Sequence, residues 1–282
     1  IFFSVCLDGS PPGYALDVGF GCGSNNWLIY LQGGGWCNTT TECAGRAKGF
    51  LGSTLGWNKI YFGGIHDKNE TFNPDFYNWN RVFVLYCDGS SFLGDVEEVD
   101  PQTNLHYRGS RIFNAVMEEL LSKGMDKADN CLFPENLVND VQTPLFLLES
   151  SFDLFQLKDK ITPFIGGDIP ELNNFLNSLT LCNATQLEVM QEFQKTFIQA
   201  LQNLNYSPSR GMLIHTCYRH GHISKKEEWQ CSCVVNNVTI AGAIDDWYFD
   251  RDCFQQIDPC VPRNCTSTLD FDAFNRKCIQ DC

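Results

Sequence analysis

The sequence has no apolar run that approaches the about 20 consecutive residues of a membrane-spanning helix. It is also short of basic residues, with 20 Lys and Arg against 34 Asp and Glu, and its formal net charge is −14. Such a charge would repel the phosphates of a nucleic acid, so we expect no nucleic-acid partner. Zinc-type Cys-x-x-Cys pairs are missing, and Cys231-x-Cys233 is too tightly spaced for a zinc knuckle, so we expect no metal and no cofactor.

Cysteine, in contrast, is abundant. Fifteen cysteines are too many for a reducing compartment, so we expect most of them to form disulfides, with at least one thiol left over by the odd count. The chain begins at Ile1 without Met or a signal-peptide n-region, which is consistent with a removed secretion signal or with a fragment. Together with five N-x-S/T sequons, these features predict a secreted glycoprotein. The candidate glycosylation sites are Asn38, Asn69, Asn183, Asn237 and Asn264.

Strand and helix patterns alternate along the chain. Apolar runs predict buried strands at residues 27–32, 81–86, 143–149 and 211–216. Apolar stripes at helical spacing predict a helix at 107–123, ended by Gly124, and a second helix opened by a capping box from Thr185 to Glu188. Residues 11–25 and 33–80 predict loops and short helices, and the region from Cys231 onward predicts an irregular, disulfide-stapled segment. The pattern indicates an α/β class with a mostly parallel sheet.

Three predicted strand ends carry residues able to do chemistry, and in parallel sheets such ends form the site. The glycines of Gly33–Cys37 could aim backbone N–H groups at an oxyanion, or could form only a tight turn. Asp153 and His220 follow strands in the order of a triad acid and base. Alternatively, Asp153 is a helix N-cap, and His215 or His222 takes the place of His220.

Five motifs occur in an order typical of one family. They are CLDGSPPGY at 6–14, LQGGGWCN at 31–38, NPDFYNWN at 73–80, YCDGSSF at 86–92 and DWYFDR at 246–251. In these stretches, and from Cys6 to about Cys265, the chain resembles the plant pectin acetylesterases, which are related to the animal carboxylesterase Notum. The resemblance implies an α/β-hydrolase-like fold in one domain over residues 1–282, with a cysteine-rich region at 231–282.

The resemblance also implies a function. Members of the family remove acetyl esters from homogalacturonan of the cell wall with a Ser-His-Asp triad, so it implies a secreted, monomeric esterase whose partner is acetylated pectin. Asp153 and His220 fall on the triad acid and base. The backbone of Gly34, Gly35 and Trp36 falls on the oxyanion-hole loop.

The nucleophile that the resemblance implies is missing. The family carries its serine in a Gly-Cys-Ser-Ala-Gly elbow, but here the chain runs from Asn130 straight into Cys131, as if the elbow strand, the serine and the next helix were absent. No other Gly-x-Ser-x-Gly occurs. Ser150, Ser151 and Cys131 are the substitutes that the sequence offers. A further departure is Gly221, which stands where the family has a cysteine.

Three interpretations therefore remain at this stage. The chain is an exon-skipped or misassembled product of an active esterase gene, a catalytically dead secreted protein that binds pectin, or a disulfide-stapled glycoprotein whose glycine loop is only a turn. If the segment is lost, the crossover from residues 107–123 to the strand at 143–149 would allow the sheet to close up without its central strand. That loss would leave apolar surface exposed.

Overall fold

The structure is a computed structural model that describes residues 4–57, 59–127, 143–157, 182, 184–202, 204, 207, 209–225, 228–232 and 235–262. Within these residues, six strands alternate with five helices. In chain order they are β1 (Tyr14–Asp17), β2 (Trp27–Leu31), α1 (Thr40–Arg46), β3 (Asn80–Val84), α2 (Gly109–Ser122), β4 (Leu145–Ser150), α3 (Leu154–Gln156), α4 (Ala184–Gln202), β5 (Arg210–His215), α5 (Ile240–Tyr248) and β6 (Gln255–Ile257). None of the described helices is long and apolar enough to cross a membrane.

The chain divides into two compact units. The first unit comprises Ile1–Phe62 and Phe76–Cys131, and the second comprises Gly63–Asp75 and Leu132–Cys282. Each unit contains its own three-stranded sheet among the described residues. The prediction that one domain spans residues 1–282 is not tested by this division and stays a prediction.

The sheet of the first unit has the order β1-β3-β2. β2 runs parallel to β3, with Ile29 opposite Val82, whereas β1 runs antiparallel to β3. The central strand β3 is buried almost throughout, as expected for a strand covered on both faces. Within the described residues β2 is an edge strand, and all five of its side chains are only half-buried.

Helix α2 covers the first sheet with one apolar face. Ile112 and Leu120 are fully buried in the same cluster as Val82 and Val84 of β3. The predicted stripe holds except at its end, where Leu121 is exposed because it lies about 100° around the helix from Leu120. Gly124 follows the helix with a φ of +107°, a left-handed conformation that glycine adopts without steric cost, and this confirms its predicted role.

The sheet of the second unit is parallel and has the order β4-β5-β6. The central strand β5 is buried, and its last residue, His215, lies opposite Ser150 of β4. Helix α5 packs on this sheet through Trp247, whose ring lies 5.2 Å from the ring of Phe146. Within the described residues β4 is also an edge strand, with Leu145–Glu149 half-buried.

Several sequence-based expectations for the elements were wrong. β1 lies inside the predicted loop at 11–25, because four residues between prolines and glycines give too short a pattern to detect. α5 and β6 lie in the region expected to be irregular. The many cysteines there favoured an irregular interpretation, and the apolar face of the helix was not recognised. Thr185 lies inside α4 and not at its N-cap.

Disulfides are present, as the cysteine count predicted. Cys6 is bonded to Cys87 across 81 residues of sequence, and Cys37 is bonded to Cys43 across 6. Cys217 and Cys260 are disulfide-bonded as well. Within the described part of the chain, the thiols of Cys22, Cys182 and Cys253 are free.

Candidate active site

Asp153 is placed by the turn that follows β4. Its side chain is 2% exposed, and its Oδ1 accepts hydrogen bonds from the backbone N–H groups of Phe155, at 3.0 Å, and Gln156, at 2.9 Å. Asp153 is therefore the N-cap of the short helix α3, as one of the two sequence interpretations predicted. The cap uses only one carboxylate oxygen and leaves the other free for a different partner.

That partner is His220. Its Nδ1 lies 2.7 Å from Asp153 Oδ2, so the acid and the base predicted from chain order are brought together. A carboxylate can only accept, so Nδ1 carries the proton and Nε2 keeps its lone pair when the ring is neutral. The side chain of His220 is 53% exposed, and no described residue bonds its Nε2. The pair thus combines a buried, fixed carboxylate with an accessible imidazole nitrogen.

Two further contacts hold this imidazole in place. The ring of Phe155 lies against it with centroids 4.5 Å apart. The backbone N–H of Leu154 donates to the carbonyl of Arg219, the residue before His220, at 3.2 Å. The helix that Asp153 caps is therefore also the helix that anchors the histidine loop. No motif or spacing in the sequence points to the role of Phe155.

His215 and His222, the alternative bases, are both buried. His215 ends β5, and its Nδ1 accepts the backbone N–H of Cys217 at 3.3 Å. The ring of His222 packs edge-on against His215 with centroids 4.3 Å apart. Burial, together with the nearby cations of Arg219 and Lys225, lowers the pKa of His222 to about 3, so this ring is neutral. These are histidines of the interior, and of the three candidate bases His220 alone is exposed.

Neither substitute serine is free to act as a nucleophile. Ser150 is buried and donates its hydroxyl to the carbonyl of Cys217, while Ser151 is buried and donates to the carbonyl of His215 at 3.2 Å. Ser151 Oγ also accepts from Gln194 Nε2 at 3.2 Å. The two hydroxyls therefore join the end of β4 and the residue after it to the end of β5 and the residues after it. The third substitute, Cys131, lies outside the described residues.

The glycine loop follows β2 in the first unit. Gly35 has a φ of +62°, so the tight-turn interpretation is correct at this position. Gly34 has no room for a side chain, because an added Cβ would overlap the ring of Tyr86. Trp36 is 53% exposed. Cys37 ends the loop, held by its disulfide to Cys43 of α1 and by its N–H bond to the Gly89 carbonyl at 3.0 Å.

Arg46 fixes the direction of the peptide groups in this loop. Its guanidinium donates to the carbonyls of Gly34, at 2.8 Å, of Gly35, at 2.6 Å, and of Trp36, at 3.3 Å. The hydroxyl of Tyr86 also donates to the Gly35 carbonyl. In a trans peptide the N–H points opposite to the carbonyl, so the N–H groups of Gly35 and Trp36 point away from Arg46.

These two N–H groups make no hydrogen bond to any described residue, which leaves them available for an anionic oxygen. The loop is thus a turn that leaves two backbone donors unused within the described residues, and its role as an oxyanion hole stays a prediction. Sequence reasoning found the glycines but missed Arg46 and Tyr86. Arg46 lies on α1, ten residues beyond the loop, and no local pattern connects the two.

The DWYFDR motif forms a carboxyl cluster in the second unit. Asp245 is buried on α5, and burial, with a contribution from Asp75, raises its pKa to about 8. Arg251 pairs with Asp75 at 3.1 Å and approaches Asp246 at 3.7 Å. The raised pKa favours the neutral form of Asp245, and Arg251 lies close to the carboxylates of Asp75 and Asp246. Sequence reasoning used this motif only for the resemblance.

Three of the five sequons lie in the described part of the chain. Asn38, Asn69 and Asn237 are all exposed, as an attached glycan would require. Asn183 and Asn264 lie outside the described residues. No cluster of three or more His, Cys, Asp or Glu side chains suited to a metal ion occurs within the described ranges.

Comparison with known proteins assigns the chain to a family. The chain is similar to Pectin acetylesterase 7 of Arabidopsis thaliana, with 31% identity over 348 aligned positions that cover 94% of this chain and 89% of that protein. It is also similar to palmitoleoyl-protein carboxylesterase NOTUM of Schmidtea mediterranea, with 37% identity over 118 residues, 41% of this chain and 22% of that protein.

The fold is similar to that of a solved structure, the Wnt deacylase Notum from Drosophila. The TM-score is 0.69 at 16% identity, and the match covers 92% of this chain and 94% of that chain. This confirms the predicted α/β-hydrolase-like class. The sequence model described as Pectinacetylesterase matches residues 3–130 and 127–268. Because these matches span most of the sequence, the chain belongs to the pectinacetylesterase family.

Proposed function

We propose that this chain is a pectin acetylesterase-type carboxylic-ester hydrolase that keeps the acid, the base and the oxyanion loop but lacks the nucleophilic serine. Asp153 is the acid, His220 the base, and the backbone of Gly34, Gly35 and Trp36 the oxyanion loop. The observation that carries the proposal is the 2.7 Å contact between Asp153 Oδ2 and His220 Nδ1, with Nε2 left exposed. An imidazole so oriented is built to take a proton from an alcohol.

Two features of the comparisons support the loss of the elbow segment. The family matches the chain in two stretches that meet at residues 127–130, where the sequence passes from the loop after α2 to Cys131. The alignment to Pectin acetylesterase 7 runs over 348 positions, although 94% of 282 residues is only about 265. Relatives therefore carry roughly 80 positions that this chain lacks, which is enough for a strand, an elbow and a helix.

The reaction of a complete triad follows from these groups. The Asp153 carboxylate holds the Nδ1 proton of His220, and Nε2 then removes the proton of a serine hydroxyl as its oxygen attacks the acetyl carbon. Backbone N–H groups stabilise the negative charge that develops on the carbonyl oxygen. Without the alcohol no acyl-serine forms, and deacetylation of pectin by this route stops. The buried hydroxyls of Ser150 and Ser151 do not replace it.

A second function follows from the same loss. A chain that keeps the fold but not the serine would bind acetylated pectin without cleaving it. We place the protein outside the cell, in the cell wall, as a monomeric glycoprotein. The disulfides of the described part support an oxidising compartment, and the exposed sequons at Asn38, Asn69 and Asn237 support glycosylation.

The decisive experiment restores the missing segment. A chimera is made by inserting the corresponding segment of Pectin acetylesterase 7 between Asn130 and Cys131. We expect it to release acetate from acetylated homogalacturonan, whereas the present chain releases none above the blank. His220→Ala in the chimera, or alanine in place of the inserted serine, should abolish release. Acetate release by the unmodified chain would overturn the proposal.

Two accompanying measurements separate the alternatives. Retention of the present chain on a pectin column, without acetate release, would support the binding protein. Failure to bind or to gain activity in the chimera would leave a disulfide-stapled glycoprotein. Sequencing the transcript across Asn130–Cys131 shows whether the segment is encoded and then skipped.

A further inference from the structure

We propose that the Asp153–His220 pair is by itself a catalytic site for activated carboxylic esters such as aryl acetates, with Nε2 of His220 as the nucleophile. The inference uses the two residues assigned above but needs neither serine nor pectin. It begins from the geometry of the pair: a carboxylate that is 2% exposed lies 2.7 Å from Nδ1, and the opposite nitrogen faces solvent.

The carboxylate is fixed before any ester binds. Two backbone N–H groups of α3 hold its Oδ1, so only Oδ2 is available to the imidazole. Phe155 covers one side of the ring. A neutral imidazole whose Nδ1–H is bonded to a carboxylate has a more electron-rich Nε2 than free imidazole. The ring is also held in one orientation before the ester binds, so less entropy is lost in the reaction than with free imidazole.

The reaction balances with water alone. The Nε2 lone pair forms a bond to the acyl carbon as the bond from that carbon to the aryl oxygen breaks, and the phenolate leaves with the electron pair. The acylated ring is cationic, and Asp153 stabilises it through Nδ1–H. Water then adds to the acyl carbon, the C–N bond breaks, and acetate and two protons are released. The imidazole returns to its starting form.

The leaving group sets the substrate class. Imidazole departs from a tetrahedral intermediate more readily than a sugar alkoxide does, so an acetylated sugar would return to starting material. A nitrophenolate is the better leaving group and departs instead. The site should therefore hydrolyse aryl esters and leave acetylated pectin intact, which distinguishes this activity from that of a complete triad.

The other histidines provide an internal comparison. All five histidines of the chain are described, and His220 alone is exposed. His66, His215 and His222 are buried, and His106 is half-buried. Any histidine-dependent activity of the folded chain should consequently depend on His220, and His106→Gln is the matched control.

The test is the hydrolysis of p-nitrophenyl acetate by the full chain, compared with free imidazole at the same concentration. We expect the chain to be faster by about 10-fold or more, since orientation and a fixed partner are worth at least that much. His220→Gln and diethyl pyrocarbonate should abolish the excess rate, while His106→Gln and a serine-directed phosphonate should not.

The role of Asp153 and the acetylation of His220 are tested separately. Asp153→Asn should lower the rate by roughly 10-fold or more, because the amide can hold the wrong tautomer. Since this change also alters the cap of α3, circular dichroism must show a folded chain. Mass spectrometry after acid quench should find acetyl on the peptide that contains His220 in the wild-type chain.

Several results would overturn the inference. They are a rate equal to that of free imidazole, activity that survives His220→Gln, or quenched samples with no acetyl on His220. Inhibition by the phosphonate would show a serine nucleophile, which would contradict both this inference and the proposed function. Loss of aryl esterase activity alone would leave the proposed function standing, because that function is judged by the chimera.

Discussion

The three glycines of the glycine loop meet different structural requirements, although their side chains are identical. Gly35 supplies a left-handed φ, Gly34 supplies space beside Tyr86, and Gly33 meets neither demand. A tripeptide of identical residues thus contains one conformational requirement, one packing requirement and one position that accepts a side chain.

Alanine substitutions should separate these positions. Gly34→Ala would force its Cβ into the ring of Tyr86, and we expect a loss of roughly 1–3 kcal/mol in the free energy of unfolding. Gly33→Ala is the matched control, since an added Cβ there meets nothing within 4 Å, and its effect should stay within about 0.5 kcal/mol. Urea unfolding measures both. Equal effects of the two substitutions would contradict the packing argument.

The carboxyl of Asp245 should make stability depend on pH. Its pKa is about 8 in the folded chain, against the ordinary value of 3.8. A carboxyl whose pKa is raised by folding stabilises the fold fully below its unfolded pKa and loses that contribution as pH rises toward the folded pKa. Stability should therefore fall between about pH 4 and pH 8.

Asp245→Asn tests this dependence. The amide stays neutral, so the fall in melting temperature between pH 5 and pH 8 should shrink by roughly 4 °C or more. Asp252→Asn, at an exposed position shortly after the same helix, is the control and should leave the fall unchanged. The measurement is thermal unfolding of the three proteins at both pH values. The same fall in all three would show that Asp245 does not carry the effect.

At the scale of the element, the sequence was most informative where a pattern was long. The stripe of α2 and the buried run of β3 were predictable because many positions agree. The four-residue β1 and the helix α5 were not, since one is too short for a period and the other is surrounded by cysteines. The pairing of Asp153 with His220 was predicted from chain order together with the family resemblance, whereas Phe155 and Arg46 act through contacts that no spacing rule encodes.

Substitutions at two neighbouring leucines of α2 show how much its buried face contributes to the free energy of unfolding. Leu120 is 0% exposed and Leu121 is 45% exposed. Leu120→Ala should cost about 2–5 kcal/mol through lost burial and a residual cavity. Leu121→Ala should cost under about 1 kcal/mol, because alanine is also a good helix former. Urea unfolding compares them. Similar costs would mean that the helix is not packed on β3 as described.

At the scale of the whole molecule, disulfides tie distant parts of the sequence together. The chain-entropy argument makes the stabilisation grow with the length of the closed loop. Removing the Cys6–Cys87 bond, which closes 81 residues, should cost roughly 4–5 kcal/mol, whereas removing the Cys37–Cys43 bond, which closes 6, should cost about 2 kcal/mol. Paired Cys→Ser variants and urea unfolding provide the comparison. The reverse order would contradict it.

Arg46 should make the conformation of the glycine loop insensitive to salt. The guanidinium contacts three uncharged carbonyls, and the carboxylate with which it pairs among the described residues, Glu42, is 3.8 Å away. A cation held by dipoles is screened far less by dissolved ions than a surface pair such as Arg111 with Asp95. The backbone conformation of the loop should thus be the same at high and at low salt concentration, while exposed ion pairs elsewhere weaken at high salt.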